Sequence, residues 1–68
     1  MARGQVKWFD LRKGFGFISQ DGGEEVFVHH LALTQLTQIK GLREGDMVEF
    51  EAVPGRKSKQ AINVVKLN

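Results

Sequence analysis

The stretch that decides the fold spans residues 13 to 30 and reads KGFGFISQDGGEEVFVHH. Two runs rich in residues that favour extended structure flank a glycine-rich turn, which predicts a pair of antiparallel strands. Because successive side chains point to opposite faces of a strand, the valines and the isoleucine share one face and supply the core. The other face carries Phe15, Phe17, Phe27 and His29. This face is predicted to be either covered by a second layer or used as a binding surface.

Glycines mark the turns around these strands. Residues 10–14 are predicted to close a first hairpin, and Asp21, Gly22 and Gly23 to close the second. Gly14 and Gly16 flank a phenylalanine, where they allow either tight backbone packing or the close approach of a ligand. The sequence leaves both explanations open.

A further strand is predicted at residues 5–9, before the first turn. Strict alternation places Val6 and Trp8 on the same face, yet an indole is difficult to fit into the core of a chain of 68 residues. We therefore expect a β-bulge near Trp8 that turns the ring outward. The alternative is that Trp8 is a core residue.

The middle of the chain is predicted to add a short helical turn and a strand. Residues 31–42 contain leucines and one isoleucine at irregular spacing, which indicates a helical turn and a loop that covers the end of a barrel. Residues 47–53 alternate Val48, Phe50 and Ala52 with glutamates. This alternation predicts a half-buried strand with Phe50 in the core.

The last strand is predicted at about residues 60–66, after a basic loop at residues 56–59. Pro54 breaks the preceding strand, because proline has no backbone N–H to donate. The residues of the last strand that face inward remain open between Ile62 with Val64 and Ala61 with Val65.

These strands are too short and too few for two full sheets, and closing one bent sheet protects its edges. The sequence therefore predicts an all-β fold, a small five-stranded antiparallel barrel. The barrel is expected to be a single domain over residues 1–68.

The composition limits the class of protein. Without cysteine the chain has neither a disulfide framework nor a thiolate zinc site, which favours a reducing cytoplasm. No apolar run approaches the roughly 20 residues that span a bilayer, and no hydrophobic signal segment follows Met1. We therefore expect a cytoplasmic protein with no membrane partner. We also expect a monomer with no small-molecule substrate and no cofactor, while a dimer formed by strand exchange remains open.

The charges are unevenly distributed, although the net charge is only +2. Residues 1–20 hold four basic residues and one acidic residue, and residues 52–68 hold four basic residues and no acidic residue. Residues 21–51 hold seven acidic residues and two basic residues. This asymmetry indicates one face for an anionic partner and another face that repels it.

The spacing of the rings suits unstacked bases. Residues two apart on a strand, such as Phe15 and Phe17, are separated by about 7 Å, whereas bases in a duplex are about 3.4 Å apart along each strand. Stacking of a base on an aromatic ring contributes about 1–3 kcal/mol and tolerates any base. Basic side chains near the rings would bind phosphates without reading sequence. The candidates are Lys7, Lys13, Arg56, Lys57 and Lys59.

Four blocks of the chain resemble the bacterial cold-shock protein family, in order and at the family's spacing. They read VKWF at residues 6–9, KGFGFI at 13–18, VFVH at 26–29 and QAINV at 60–64. The resemblance covers nearly the whole chain and implies an OB-type barrel that binds single-stranded RNA or DNA, as an RNA chaperone or transcription antiterminator in the cold-shock response. In that family, the nucleobase platform is formed by the positions that match Lys7, Trp8, Phe15, Phe17, Phe27, His29 and His30.

The chain departs from the family pattern around this platform. The family commonly has an aromatic residue, often phenylalanine, where this chain has His30, a smaller and more polar ring. Strict alternation also points His30 inward, so the chain must turn there for His30 to join the platform. The family's loop usually carries a phenylalanine shortly before Lys40, where residues 37–39 read TQI. Ser58 and Lys59 replace the usual Gly-Pro. We expect fewer stacking sites and a more basic, less rigid loop.

Two other classes of function compete with nucleic-acid binding. An exposed aromatic patch would equally suit the docking of a partner protein, and such binding is expected to be insensitive to salt. His29 and His30 raise the question of a nuclease or metal site, but adjacent histidines on a strand face opposite ways, and neither cysteine nor carboxylate lies at ligand spacing. We therefore predict no enzyme and no metal. RNA and single-stranded DNA remain open as ligands, because nothing in the sequence reads the 2′-hydroxyl.

Overall fold

The structure is a computed structural model, and it describes residues 1–20 and 22–67. Asp21, which was predicted to form the second turn with Gly22 and Gly23, lies outside the described residues, as does Asn68. Gly22 has a φ of 90° and Gly23 a φ of 86°. Both glycines therefore adopt the left-handed conformation that L side chains avoid.

The described residues are mostly strand, with short helical segments in the middle of the chain. The strands are β1 (Ala2–Asp10), β2 (Phe15–Gln20), β3 (Glu25–His29), β4 (Met47–Val53) and β5 (Gln60–Lys66). A 3-10 turn (His30–Ala32) and the helix α1 (Gln35–Lys40) connect β3 to β4. The all-β prediction is confirmed, and so are the predicted bounds of β4 and β5.

Strands β1 to β5 close into a barrel in the order β1-β2-β3-β5-β4. The predicted small OB-type barrel is therefore confirmed. Neighbouring strands are antiparallel except at the junction between β3 and β5, which is parallel and pairs Phe27 with Gln60. This exception follows from parity, because strand directions cannot alternate all the way around a closed ring that has an odd number of strands.

The core is aliphatic and lies on the inner faces of these strands. Alternation in β2 and β3 places the side chains as predicted: Ile18, Val26 and Val28 are buried, whereas the phenylalanines between them are partly exposed. Phe50 is fully buried, as its parity predicted. The buried hydrophobic residues are Val6, Ile18, Val26, Val28, Leu33, Leu42, Val48, Phe50, Ala61 and Val64.

The predicted bulge in β1 is confirmed. Val6 pairs with Ile18 and Trp8 pairs with Phe17, so Lys7 is an extra residue on the β1 side of the ladder. The bulge leaves both Lys7 and Trp8 on the outer face, and Trp8 is 40% exposed. The alternative that Trp8 is a core residue is wrong.

In β5 the inward residues are neither of the two predicted pairs. Ala61 and Val64 are buried, three positions apart, because the register between β4 and β5 shifts at this point. Asn63 accommodates this register shift by adopting a left-handed backbone conformation, with a φ of 52°. The prediction that Ala52 faces the core is also wrong. The ladder between β1 and β4 ends where Ala2, the first residue of β1, pairs with Phe50. Beyond this point β4 has no partner in β1, and Ala52 is exposed.

The segment between β3 and β4 forms the predicted short helical turn. The Thr34 side chain caps the start of α1 by accepting a hydrogen bond from the Thr37 backbone N–H, and α1 ends at Gly41 with a φ of 78°. Leu33 and Leu42 join the core on either side of α1. Of the remaining apolar residues in this segment, Leu31, Leu36 and Ile39 are exposed.

Polar contacts attach this segment to β5. Thr37 is 1% exposed, and its Oγ1 accepts a hydrogen bond from the Lys66 backbone N–H at 3.1 Å. The Lys66 Nζ lies 3.2 Å from the Asp46 carboxylate and donates to the Gly41 carbonyl oxygen at 3.3 Å. These contacts fix the end of β5 to both ends of the connection that leads into β4. Neither helical segment of the described chain is long and apolar enough to cross a membrane.

Candidate nucleic-acid interface

The outer faces of β1, β2 and β3 carry a cluster of aromatic rings, here called the aromatic platform (Trp8, Phe15, Phe17 and Phe27). The Trp8 centroid lies 5.6 Å from those of both Phe15 and Phe17. The Phe27 centroid lies 5.8 Å from that of Phe15 and 5.7 Å from that of Phe17. These distances are typical of favourable aromatic pairs, so the rings support one another while each stays partly exposed.

The platform forms because the strand backbones approach closely beneath it. A Cβ added at Gly16 would lie 2.1 Å from the carbonyl oxygen of Trp8 and 2.7 Å from the Cα of Phe9. Any side chain there would separate β1 from β2. Gly16 is buried, so the packing explanation for this glycine is correct, and its inward face leaves no room for a ligand.

The histidines extend the platform at the end of β3. His29 lies opposite Phe15 in the ladder, on the face that carries the rings. The chain turns at His30, as its place on the platform requires, because the 3-10 turn begins there. The ring centroids of His29 and His30 are therefore only 4.5 Å apart, and the prediction that these residues face opposite ways is wrong.

Hydrogen bonds hold both histidines and the turn beside them. The His29 Nδ1 accepts a hydrogen bond from the Leu31 backbone N–H at 3.2 Å, which fixes the orientation of the ring. The His30 backbone N–H donates to the Gly14 carbonyl oxygen at 2.8 Å. A Cβ on Gly14 would lie 2.8 Å from the His30 ring, and its φ of 78° favours glycine as well. Gly14 thus positions His30.

The basic residues fall into separate groups around the platform. Lys13 lies in the turn between β1 and β2, which Asp10 orders by accepting hydrogen bonds from the backbone N–H groups of Arg12 at 2.8 Å and Lys13 at 2.9 Å. Arg56 and Lys57 lie beyond the opposite edge of the platform, in the loop before β5. Within the described residues, the side chains of Lys13, Arg56 and Lys57 form no ion pair.

Lys7 and Lys59 differ from these residues because each contacts a carboxylate. The Lys7 Nζ pairs with the Glu25 Oε2, and the Lys59 Nζ lies 3.5 Å from the Glu24 Oε1. Neither ion pair was predicted from the sequence. The only signal available was the run of two glutamates at the start of β3, and its partners depend on the register of three strands.

A hollow of about 360 Å³ joins the platform to the basic loop. Its lining consists of Phe17, Phe27, Arg56, Lys57, Ser58 and Gln60. Ser58 and Gln60 were not among the predicted site residues. Gln60 belongs to the block QAINV, and its pairing with Phe27 at the β3–β5 junction brings it to the hollow.

A second hollow of about 360 Å³ lies on the far side of His30. Lys13, His30 and Gln38 contribute to its lining, together with Leu11 and Arg12, which were not predicted. Residues 37–39 supply no aromatic ring in the place of the phenylalanine found in the family's loop. Thr37 is buried, the Gln38 amide donates to the Leu33 carbonyl oxygen at 3.0 Å, and Ile39 is 75% exposed.

The described residues hold no group of three or more histidine, cysteine, aspartate or glutamate side chains that would ligate a metal ion. The site therefore combines three kinds of groups: partly exposed rings, basic side chains at two edges, and hydrogen-bonding groups in the hollows. Such a combination is chemically suited to bases and phosphates, and it is typical of OB-type barrels that bind oligonucleotides.

Comparison with known proteins places the chain within this class. Residues 2–67 match the family described as the "Cold-shock" DNA-binding domain. The chain is 54% identical over 67 residues to cold shock protein CspB of Geobacillus stearothermophilus, a match that covers 98% of this chain and 100% of that protein. It is 52% identical over 65 residues to cold shock-like protein CspC of Bacillus cereus, covering 96% of this chain and 98% of that protein. The chain belongs to the cold-shock domain family, whose members bind nucleic acid.

Proposed function

We propose that this protein binds single-stranded RNA or DNA by stacking bases on the aromatic platform and the adjacent histidines, with low sequence specificity. The observation that carries the proposal is that Trp8, Phe15, Phe17 and Phe27 form one connected ring cluster outside the barrel, while the core is filled by other residues. Partly exposed rings are unfavourable in a small domain unless they contact a ligand.

The proposed contacts follow the geometry around the platform. Phe17 and Phe27 border a hollow whose other walls are basic or polar, so a base stacked on these rings would have its phosphate near Arg56 and Lys57. Lys13 is placed to meet the backbone at the other end, beside His30. Lys7 and Lys59 are weaker candidates at the edge formed by the start of β3, because each is already paired with a glutamate. Stacking and phosphate contacts carry little sequence information, which supports the low specificity.

The proposed cellular role is that of an RNA chaperone or transcription antiterminator. A protein that stacks bases one by one competes with base pairing, because a base held on a ring is not available to a complementary strand. The cytoplasm remains the predicted compartment, and a monomer remains the predicted state.

The test is a titration of hexathymidylate and hexauridylate monitored by Trp8 fluorescence. We expect quenching at low salt, and we expect Phe15→Ala and Phe27→Ala each to weaken binding by about 1–3 kcal/mol, or about 5- to 150-fold. Leu36→Ala is the control, since Leu36 is exposed on α1, away from the platform. Both variants are compared with the wild type by thermal unfolding.

Equal affinity in the wild type and both phenylalanine variants would contradict the stacking role. Such a result, together with salt-insensitive binding of a protein partner, would favour the alternative in which the patch docks a protein. Comparison of matched RNA and DNA hexamers then decides which nucleic acid is preferred.

A further inference from the structure

Glu24 and Glu25 occupy the edge of the platform where a phosphate-binding surface would be expected. The Lys7 Nζ pairs with the Glu25 Oε2, and the Lys59 Nζ lies 3.5 Å from the Glu24 Oε1. Both lysines belong to the basic set predicted to contact phosphates. In the free protein, each of them therefore already has a carboxylate as its counter-charge.

The Lys7–Glu25 pair lies on the same face as the rings. Glu25 shares its side of β3 with Phe27 and His29, and it pairs with Ser19 of β2 in the ladder. Lys7 reaches it from the bulge of β1, so the ion pair spans β2 next to Phe17. At this edge the row of aromatic rings ends in an ion pair.

The other basic side chains near the platform differ from Lys7 and Lys59 because no carboxylate is paired with them among the described residues. Lys13, Arg56 and Lys57 are exposed, and no ion pair holds them within residues 1–20 and 22–67. A phosphate that reaches one of these side chains displaces bound counterions, which favours binding at low salt. A phosphate that reaches Lys7 or Lys59 must instead displace a carboxylate that remains close by and repels it.

We propose that Glu24 and Glu25 determine selectivity, by making binding depend on bases rather than on anionic charge. This inference rests on the proposed function. A single-stranded nucleic acid gains binding free energy from base stacking and needs few phosphate contacts. It can therefore bind well even though the charges of Lys7 and Lys59 are compensated by glutamates. A polyanion without bases, such as inorganic polyphosphate, can bind only through its charges. Its affinity is therefore reduced most when the glutamates compensate the charges of Lys7 and Lys59.

The salt dependence of binding gives a quantitative expectation. For single strands the logarithm of the affinity falls with the logarithm of salt concentration by about 0.7 for each neutralised phosphate. Contacts from the unpaired cations alone give a slope of about −2 for the wild type. Releasing both lysines by substituting both glutamates steepens the slope to about −3.5.

The experiment measures the binding of hexathymidylate and of inorganic polyphosphate to Glu24→Gln, Glu25→Gln and the double variant. Glutamine has almost the same shape and no charge. The matched control is Glu51→Gln, which makes the same change of charge on β4, a strand that pairs with neither β2 nor β3. Thermal unfolding shows that each variant is folded.

We expect the double variant to bind polyphosphate on the order of tenfold more tightly at 100 mM salt, and each single variant to show part of this gain. The gain for hexathymidylate is smaller, so the preference for the single strand over polyphosphate decreases. Glu51→Gln changes either affinity by less than about twofold, since among the described residues Glu51 forms no ion pair with a basic side chain and its side chain accepts a hydrogen bond from Asn63. Adding Lys7→Gln to Glu25→Gln removes the gain of that variant.

The inference is overturned if Glu24→Gln and Glu25→Gln match Glu51→Gln in slope and in polyphosphate affinity. That result leaves the proposed function in place as long as Phe15→Ala and Phe27→Ala still weaken hexathymidylate binding. Failure of the wild type to bind hexathymidylate overturns both.

Discussion

The inner and outer faces of β2 and β3 are made from alternating residues of the same short segments, yet they are built differently. On the inner face, Ile18, Val26 and Val28 are fully buried in an aliphatic core. On the outer face, Phe17 and Phe27 contact other rings and remain partly exposed. Substitutions on one face should therefore change the free energy of unfolding, and substitutions on the other should change affinity for a ligand.

The largest effect is expected from Phe50→Ala, the removal of a ring from the core. Phe50 is fully buried, and truncation of such a ring reduces stability by about 3–5 kcal/mol. A core this small supplies about that much stability in total, so the variant should be largely unfolded at 25 °C by circular dichroism. A cooperative transition near the wild-type temperature would show that the core does not depend on Phe50.

The sharpest comparison is between Val28→Ala and Phe27→Ala, neighbours on opposite faces of β3. Val28→Ala should reduce stability by about 1–3 kcal/mol and leave the affinity of the folded protein for hexathymidylate unchanged. Phe27→Ala should weaken hexathymidylate binding by a similar amount, with a smaller loss of stability. Urea unfolding and fluorescence titration of both variants check this. Equal effects of the two substitutions on both quantities would show that the faces are not separable.

A loss of stability comparable to that of Val28→Ala is expected from Thr37→Val, which keeps the shape of the side chain and removes its hydroxyl. The Lys66 backbone N–H and the Thr34 hydroxyl both donate to Thr37 Oγ1, at 3.1 Å and 2.8 Å. Loss of this buried acceptor should reduce stability by about 1–3 kcal/mol in urea unfolding, without changing nucleic-acid affinity. Thr34→Val, which removes one of the two donors and also the N-cap of α1, is the companion variant.

The smallest effect is expected from His30→Phe, which puts the family's common aromatic residue at the end of the platform. A larger apolar ring next to His29 should strengthen hexathymidylate binding by about 1 kcal/mol, the lower end of the range for stacking. The titration should show roughly fivefold tighter binding. Unchanged or weaker affinity would show that bases do not stack at position 30.

The sequence predicted the features that depend on alternation within a strand. The two faces of β2 and β3 followed from unbroken alternation, and the size of the Trp8 ring was enough to predict the bulge that turns it outward. The position of β4 followed from its alternation with glutamates. These features are local, or nearly so, and need no knowledge of which strands become neighbours.

Features that depend on barrel closure could not be predicted in this way. The inward residues of β5 depend on the register shift taken up by Asn63, which exists only once β4 and β5 are paired. The Lys7–Glu25 pair joins residues 18 positions apart that become neighbours only across β2. Thr37 is buried because α1 packs on β5, whereas the more apolar Leu36 and Ile39 of the same helix are exposed, an arrangement that the residue types alone do not predict.

The parallel junction between β3 and β5 gives the barrel one boundary unlike its others. The register pair Phe27–Gln60 stands at one end of it, and the bridge between Leu33 and Val64 lies beyond the 3-10 turn. Between these points, the turn that carries His30 onto the platform takes the chain out of the ladder, so the same bend extends the platform and interrupts the sheet. Amide hydrogen exchange should therefore be faster along this seam than along the β1–β2 ladder. A nucleic-acid strand bound across Phe27 and Gln60 would cover this junction from outside the barrel. Slower amide exchange at the junction would therefore be an independent sign of binding.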